Sequence, residues 1–295
     1  MIELPLVSVV VASYRRVAEL ERALISLSRQ DYTNLEVVVV DDNAEELWNE
    51  KVKGICDKYL NVTYIRNNIN LGSAKSRNVG IVASQGKYIT FLDDDDEYLR
   101  SKISVQVQKM ENEKSDYSIT NLELYNSDGK LVDRRIHDYI KSFKKRELVK
   151  NHILYHLTGT DTFMFRTDYL NKIGNFPDLD VGDEYYLMMR AIEFGGKFTY
   201  INECHVKAYV HFGGDAGLSS GYGKIKGEKE LFLNKKQKFS YLSKPEIRYV
   251  TMRHYAVLAY TYYRMGKYRS SAFKLMLSFS SSPLGFVRLI LRNRK

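Results

Sequence analysis

The stretch YITFLDDDDEY, residues 88–98, is an apolar run that ends in four consecutive aspartates. Its β-branched and aromatic residues read as a buried strand, so four like charges are set at one strand's end. Adjacent carboxylates repel, which raises their pKa values and costs stability unless a cation or a protonated partner sits among them. Strand alternation would turn Asp93 and Asp95 to one side and Asp94 to the other, a geometry suited to a hard divalent ion held by oxygen ligands. A second chemical group lies in NLGSAKSRNVG, residues 70–80. Gly72 opens a helix there, on which Ser73, Arg77 and Gly80 are three or four residues apart and share a face. The Arg77 guanidinium could then point along the strand ends, toward the aspartates or toward a bound phosphate.

The elements that must position these groups alternate regularly. LVSVVVAS (6–13), LEVVVVDD (35–42), VTYIR (62–66) and KYITFLD (87–93) are strand-like, with helical patterns between them at 17–30, 44–59 and 72–85. This order predicts an α/β fold with a mostly parallel sheet covered by helices on both faces. Ligands of such sheets gather at the carboxyl ends of the strands, where Ser13, Tyr14, Asp41, Asp42 and Asp93 to Asp96 all fall. Beyond a helix near 100–112, the pattern predicts a hairpin turning at Asp128-Gly129, a strand at 160–166, a helix at 183–195 and strands at 197–210. From about residue 222 the chain reads as helical and rich in aromatics.

With 295 residues, 44% hydrophobic and 13% aromatic, the chain can bury one large core or two modest ones, which excludes a disordered protein. Cys56 and Cys204 are far apart and lack metal-ligand spacing, so neither a disulfide framework nor a zinc site is expected, and a reducing cytoplasm fits. The opening MIELPLVSVVVASYRR reads as a first strand rather than a signal peptide. No run approaches the roughly 18 apolar residues of a membrane span.

The net charge of +9 is uneven: residues 234–295 hold 14 Lys and Arg against one acid, Glu246, leaving −4 for the remainder. Such a basic tail could lie against an anionic membrane, bind nucleic acid, or form a solvated helical face. The acidic strand ends argue against a nucleic-acid reader. Within the tail, LAYTYYRMGKYRSSAFKLMLSFSSSP (258–283) has the spacing of one tetratricopeptide-type helix pair, and a single unit cannot form a solenoid.

Taken in order, VSVVVASYRR, LEVVVVDDN, NLGSAKSRNVG, SQGKYITFLDDDDEYL and VGDEYYLMMRAIEFG form a series that resembles glycosyltransferase family 2, inverting nucleotide-sugar enzymes of the GT-A fold. The resemblance covers residues 5–212, about seventy per cent of the chain. It implies a Rossmann-like GT-A domain over residues 1–221, with a basic, Tyr-rich helical region over 222–295 as its C-terminal extension.

By that resemblance Ser13 and Tyr14 form the nucleotide-base platform, Asp42 accepts the ring N–H of the base, and Asp41 braces the turn. FLDDDDEY is similar to the family's FLDSDD, which implies that Asp93 and Asp95 end an Asp-x-Asp motif. Asp95 then ligates a Mn or Mg ion bridging the donor's two phosphates, Asp94 lies near the ribose, and Arg77 faces the nucleotide. His211 matches a later histidine that completes the metal or touches the diphosphate, and the glycine-rich loop after it could close over the donor. Thr160 and Asp161 fit a strand flanking the acceptor pocket.

The family's catalytic base is the Asp of a Glu-Asp-x-Asp-Leu helix start. Here GDEYYL stands in that place, with Leu187 and Arg190 matching downstream, so Glu184 falls on the base position and Asp183 on the preceding acid. The extra methylene of Glu moves the carboxylate by about an ångström, and errors of that size can cost about a hundredfold in rate. Either Asp183 or Glu184 could hold the role.

The expectation is therefore a metal-dependent inverting glycosyltransferase that moves a sugar from a nucleoside diphosphate, a UDP-sugar, to a hydroxyl of a glycan or lipid-linked acceptor in cell-surface polysaccharide synthesis. It is expected in the cytoplasm, held peripherally at the inner membrane face by its basic C-terminal region. The alternative is a catalytically inactive GT-A module that binds a sugar nucleotide or a partner protein. A nucleotidyltransferase would need a glycine-rich phosphate loop near the N-terminus, which the sequence lacks.

Overall fold

The structure, a computed structural model, describes residues 4–179, 181–210 and 221–292. The chain divides into two compact units. The first comprises Met1–Lys145, Leu157–Asp178 and Asp183–Gly213; the second comprises Arg146–His156, Leu179–Gly182 and Gly214–Lys295.

In the first unit, β1 (Val7–Ser13), α1 (Val17–Ser28), β2 (Leu35–Asp41), α2 (Glu46–Cys56), β3 (Val62–Arg66), α3 (Ser73–Ala83) and β4 (Tyr88–Phe91) follow the alternation read from the sequence. The valine runs of β1 and β2 are buried on both faces, as parallel strands between helix layers must be. β1 pairs in parallel with β2, from Val7 opposite Leu35 to Ser13 opposite Asp41, and with β4, from Val7 opposite Tyr88 to Val10 opposite Phe91. These registers bring the carboxyl ends of the strands to one edge. α3 lies close over β1: a Cβ at Gly80 would come 2.3 Å from Val10 Cγ1, so the face shared by Arg77 and Gly80 is the one turned to the sheet.

The next elements are β5 (Glu97–Tyr98), α4 (Lys102–Glu113), β6 (Tyr117–Tyr125), β7 (Leu131–Arg135), β8 (Met164–Arg166), α6 (Thr167–Ile173), α7 (Asp183–Phe194) and β9 (Phe198–Tyr209); α5 (Lys145–Tyr155), which falls almost wholly in the second unit, lies between β7 and β8 in sequence. The sheet runs β3-β2-β1-β4-β8-β6-β9-β5, with β7 on β6. It is parallel from β3 to β4, then mixed: β8 is antiparallel to both neighbours, while β6 and β9 are parallel. The expected hairpin is β6–β7, closed by Asn126 Oδ1, which accepts from the backbone of Asp128 and Lys130, and by Gly129 at φ +71.

Two expectations are corrected. The strand predicted at 87–93 ends at Phe91, and the aspartates form a turn in which the Asp96 N–H donates to the Asp93 carbonyl at 3.1 Å, so strand alternation does not orient them. The strand predicted over 160–166 begins only at Met164, because Gly159 at φ +128 starts a single 3-10 turn over Thr160–Thr162.

The second unit contains α5, α8 (Gly221–Gln237), α9 (Lys244–Arg264), α10 (Tyr268–Ser281) and α11 (Pro283–Arg292). Ser243 and Glu246 form a capping box that starts α9. Gly266, at φ +70, turns α9 into α10. Between α8 and α9 the His254 ring stacks on Phe232 with centroids 4.0 Å apart, and His254 Nδ1 lies 2.8 Å from Glu228.

Candidate active site

Arg77 is the hub of the strand ends. It leaves α3 buried, with one guanidinium nitrogen 2.6 Å from Asp93 and another donating to Asp183 at 3.1 Å. Its guanidinium also lies over the Phe176 ring, 5.3 Å from the centroid. Burial opposes the charge, and the two carboxylates more than offset it, holding the pKa above its ordinary value. The planar fork thus ties the start of α7 to the end of β4, a bridge lysine could not make.

The other aspartates are each held differently. Asp94 accepts from the Tyr14 N–H at 3.1 Å and from Arg16 at 3.0 Å, and burial pushes its carboxyl up to about 7 despite Arg16. Asp95 lies 2.5 Å from Arg16. Asp96 accepts from the Tyr209 N–H, and burial, then Asp161 and Asp93, raises its pKa well above the ordinary value. Asp161, from the 3-10 turn, accepts from the Asp93 N–H at 2.6 Å, and burial together with Asp93 pushes it up to about 7. Arginines therefore supply part of the countercharge that the aspartate run requires.

Carboxylate oxygens of Asp93, Asp96 and Asp161 lie within 4.8 Å of one another. An all-oxygen set of three clustered carboxylates, of which burial and neighbouring acids raise the pKa of Asp96 and Asp161, fits a hard divalent ion. Asp95 is outside this trio because the turn directs it to Arg16. His211 lies outside the described residues.

On α7, the Asp183 carboxylate is engaged by Arg77, and burial still raises its pKa. Glu184 accepts from Thr160 Oγ1 at 3.0 Å and has no Lys or Arg partner among the described residues. Burial first, and Asp183 second, raises its pKa, so its proton is held more tightly than an ordinary glutamate's. A carboxyl so placed is suited to take up a proton.

On the other side, Tyr14 is 43% exposed, and the buried hydroxyl of Ser13 has no hydrogen-bond partner. Asp41 braces the turn, accepting from the backbone and side chain of Asn43, from Asn49 and from Tyr64. Asp42 accepts from Asn67, Leu71 N–H and Gly72 N–H, fixing the loop that leads into α3. A carboxylate has about four acceptor positions, so one remains.

Ser13, Tyr14, Arg77, Asp93 to Asp96, Asp183 and Glu184 thus meet along the strand ends. Arg16 and the placing of Asp161 beside Asp93 were missed. The Tyr-Arg-Arg that directly follows β1 was a signal for the first; nothing local signals the second, since Asp161 and Asp93 are 68 residues apart.

A family model described as Glycosyl transferase family 2 matches residues 8–174. The chain is 27% identical over 249 residues to the Escherichia coli (strain K12) protein named for colanic acid biosynthesis glycosyl transfer, WcaA, covering 81% of this chain and 85% of that one. It shares its fold with S. aureus TarS 1-349, solved in complex with UDP-GlcNAc, at a TM-score of 0.61 and 18% identity over 92% of this chain and 90% of that one. Mannosyltransferase PcManGT from Pyrobaculum calidifontis, solved in complex with GDP-Man and Mn2+, superposes with a TM-score of 0.59 and 17% identity over 99% of this chain and 80% of that one.

Proposed function

The chain belongs to glycosyl transferase family 2 and is a glycosyltransferase, and on that premise we propose that it transfers a sugar, with inversion, from a UDP-sugar to a hydroxyl of a glycan or lipid-linked acceptor in cell-surface polysaccharide synthesis. The observation that carries this reading is the pair of acids at the start of α7: Asp183 is fixed by Arg77, and Glu184 beside it accepts from the Thr160 hydroxyl and is in no ion pair among the described residues.

Glu184 is the base in this reading. It takes the proton of the acceptor hydroxyl as that oxygen bonds to the anomeric carbon, and the bond from that carbon to the nucleoside diphosphate breaks on the opposite face, its electron pair leaving with the diphosphate. Asp183 positions Arg77, and Arg77 orients Asp93. Tyr14 offers an aromatic face to the base, Ser13 its unused hydroxyl, Asp42 its remaining acceptor position, and Asp94 faces the ribose. Asp93, Asp96 and Asp161 would hold a Mn or Mg ion, with Asp95 and His211 as the ligands that the family resemblance adds. When bound there, the ion supplies positive charge to the leaving diphosphate.

The deciding experiment measures nucleotide release from a panel of nucleotide sugars, with Mn present or chelated, for the wild type, Asp95→Ala and Glu184→Gln. Metal-dependent release of UDP by the wild type, lost in both variants, is the expected result. Donor binding without turnover on any acceptor would sink the transferase mechanism.

A further inference from the structure

Helix α10 is inside out for a helix of a water-soluble unit. The side it turns to α9 is rich in serines: beside half-buried Lys274 and Leu277, Ser278 is fully buried and donates to the Met252 carbonyl at 2.8 Å, and Ser271 donates to the Ala259 carbonyl at 2.8 Å. Leu275, between the two serines on the same stripe, and Met276 and Phe279 beside it are about half exposed or more. An amphipathic helix in water does the reverse.

Helix α11 continues this surface. Its orientation is fixed by Gly285, where a Cβ would come 3.2 Å from Met252, and by Phe286, whose ring meets Phe279 edge-on at 5.7 Å. Leu284, Val287 and Leu291, three and four residues apart, are left on the outer side, Leu284 at 76% exposure. At the α9–α10 turn the exposed rings of Tyr263 and Tyr268 meet at 5.8 Å. Charge is one-signed throughout: residues 247–295 contain ten Lys and Arg and no Asp or Glu.

We propose that the outer face of α10 and α11 is a docking surface for an anionic lipid bilayer, with the leucines and phenylalanine entering the acyl boundary, the tyrosines at headgroup level and the arginines and lysines on the lipid phosphates. Charge selects this occupant over a second copy of the chain, because α10 and α11 carry Arg269, Lys274, Arg288 and Arg292 and no acid, so two such pairs would set like charges against each other. The helices lie on the membrane. Among the described residues no single helix is long and apolar enough to cross one, and α10 and α11 reach that length and composition only together, across a bend of 115°. The inference deepens the transferase reading, since a lipid-linked acceptor is presented at such a surface.

The test is vesicle flotation of the full chain, without donor or acceptor, on phosphatidylcholine liposomes with and without phosphatidylglycerol. Binding to the anionic vesicles is expected, only partly reversed by high salt. Leu284→Glu/Leu291→Glu and Leu275→Glu/Met276→Glu should each weaken it by about tenfold or more, with melting temperature and nucleotide binding unchanged because the substituted side chains are exposed. Absence of binding, binding fully reversed by salt and indifferent to these substitutions, or light scattering that gives a dimer abolished by them would overturn the inference. Because flotation requires no turnover, a chain that floats but releases no nucleotide defeats only the transferase reading, and one that turns over but never floats defeats only this one.

Discussion

The strand ends of the first unit and the last helices of the second solve opposite problems. At the strand ends, charges are drawn out of water and matched: Arg77 to Asp93 and Asp183, Arg16 to Asp94 and Asp95. In α10 and α11 apolar side chains are left in water while serines are buried. Unfavourable placement in the first region is compensated inside the protein, which marks a site preorganised for charge. In the second region nothing in the described residues compensates, which marks a surface whose partner lies outside the chain.

The contrast breaks most visibly at Glu184. Glu184→Gln should lower kcat by about 10²–10⁴-fold with nucleotide affinity retained, read by steady-state kinetics beside calorimetric binding; wild-type turnover would move the base elsewhere. Next in size is Arg77→Met, which strands two carboxylates at once and should cost about 3 kcal/mol in denaturant unfolding, the low end for a buried pair because Asp93 is partly exposed. An unchanged midpoint would mean that the bridge does not hold the strand ends together.

The acids of the site also make stability depend on pH. Asp94 and Asp161 are each pushed up to about 7 from a usual 3.8, so the folded chain binds more protons than the unfolded chain between those values. Their contribution is present at acid pH and is lost as pH rises from about 4 through 7. Without divalent metal, the melting temperature should fall by several degrees over that span, and added Mn should raise it more at pH 7.5 than at pH 5. A melting temperature that climbs over this range would contradict the burial of these acids.

The finest comparison lies within α10. Ser278→Leu, on the buried side, should overpack and destabilise by about 1–3 kcal/mol. Met276→Ser, two residues before it and in the open, should stay within about 0.5 kcal/mol. The reverse order would mean that α10 is an ordinary helix with its apolar face inside.

The sequence by itself determined the parallel half of the sheet and the identity of its ligand edge. Valine runs at β1 and β2, with helix-period stretches between, leave few alternatives to strands buried under helices, and their chain direction sends Ser13, Asp41 and the aspartate run to one side. It also determined the pairing of Asp183 and Glu184 at a helix start, which is a local pattern. Tertiary structure alone decided which acids share a site, because the groups are remote along the chain: Asp183 reaches Arg77 across 106 residues and Asp161 reaches Asp93 across 68. It likewise decided that Asp95 turns to Arg16, since the aspartates leave the strand and their directions follow a turn. In α10 the serines and the apolar residues were both plain in the sequence, yet helical spacing does not sort them cleanly, since Leu275 falls on the stripe of Ser271 and Ser278. Which face is buried was set by contact with α9.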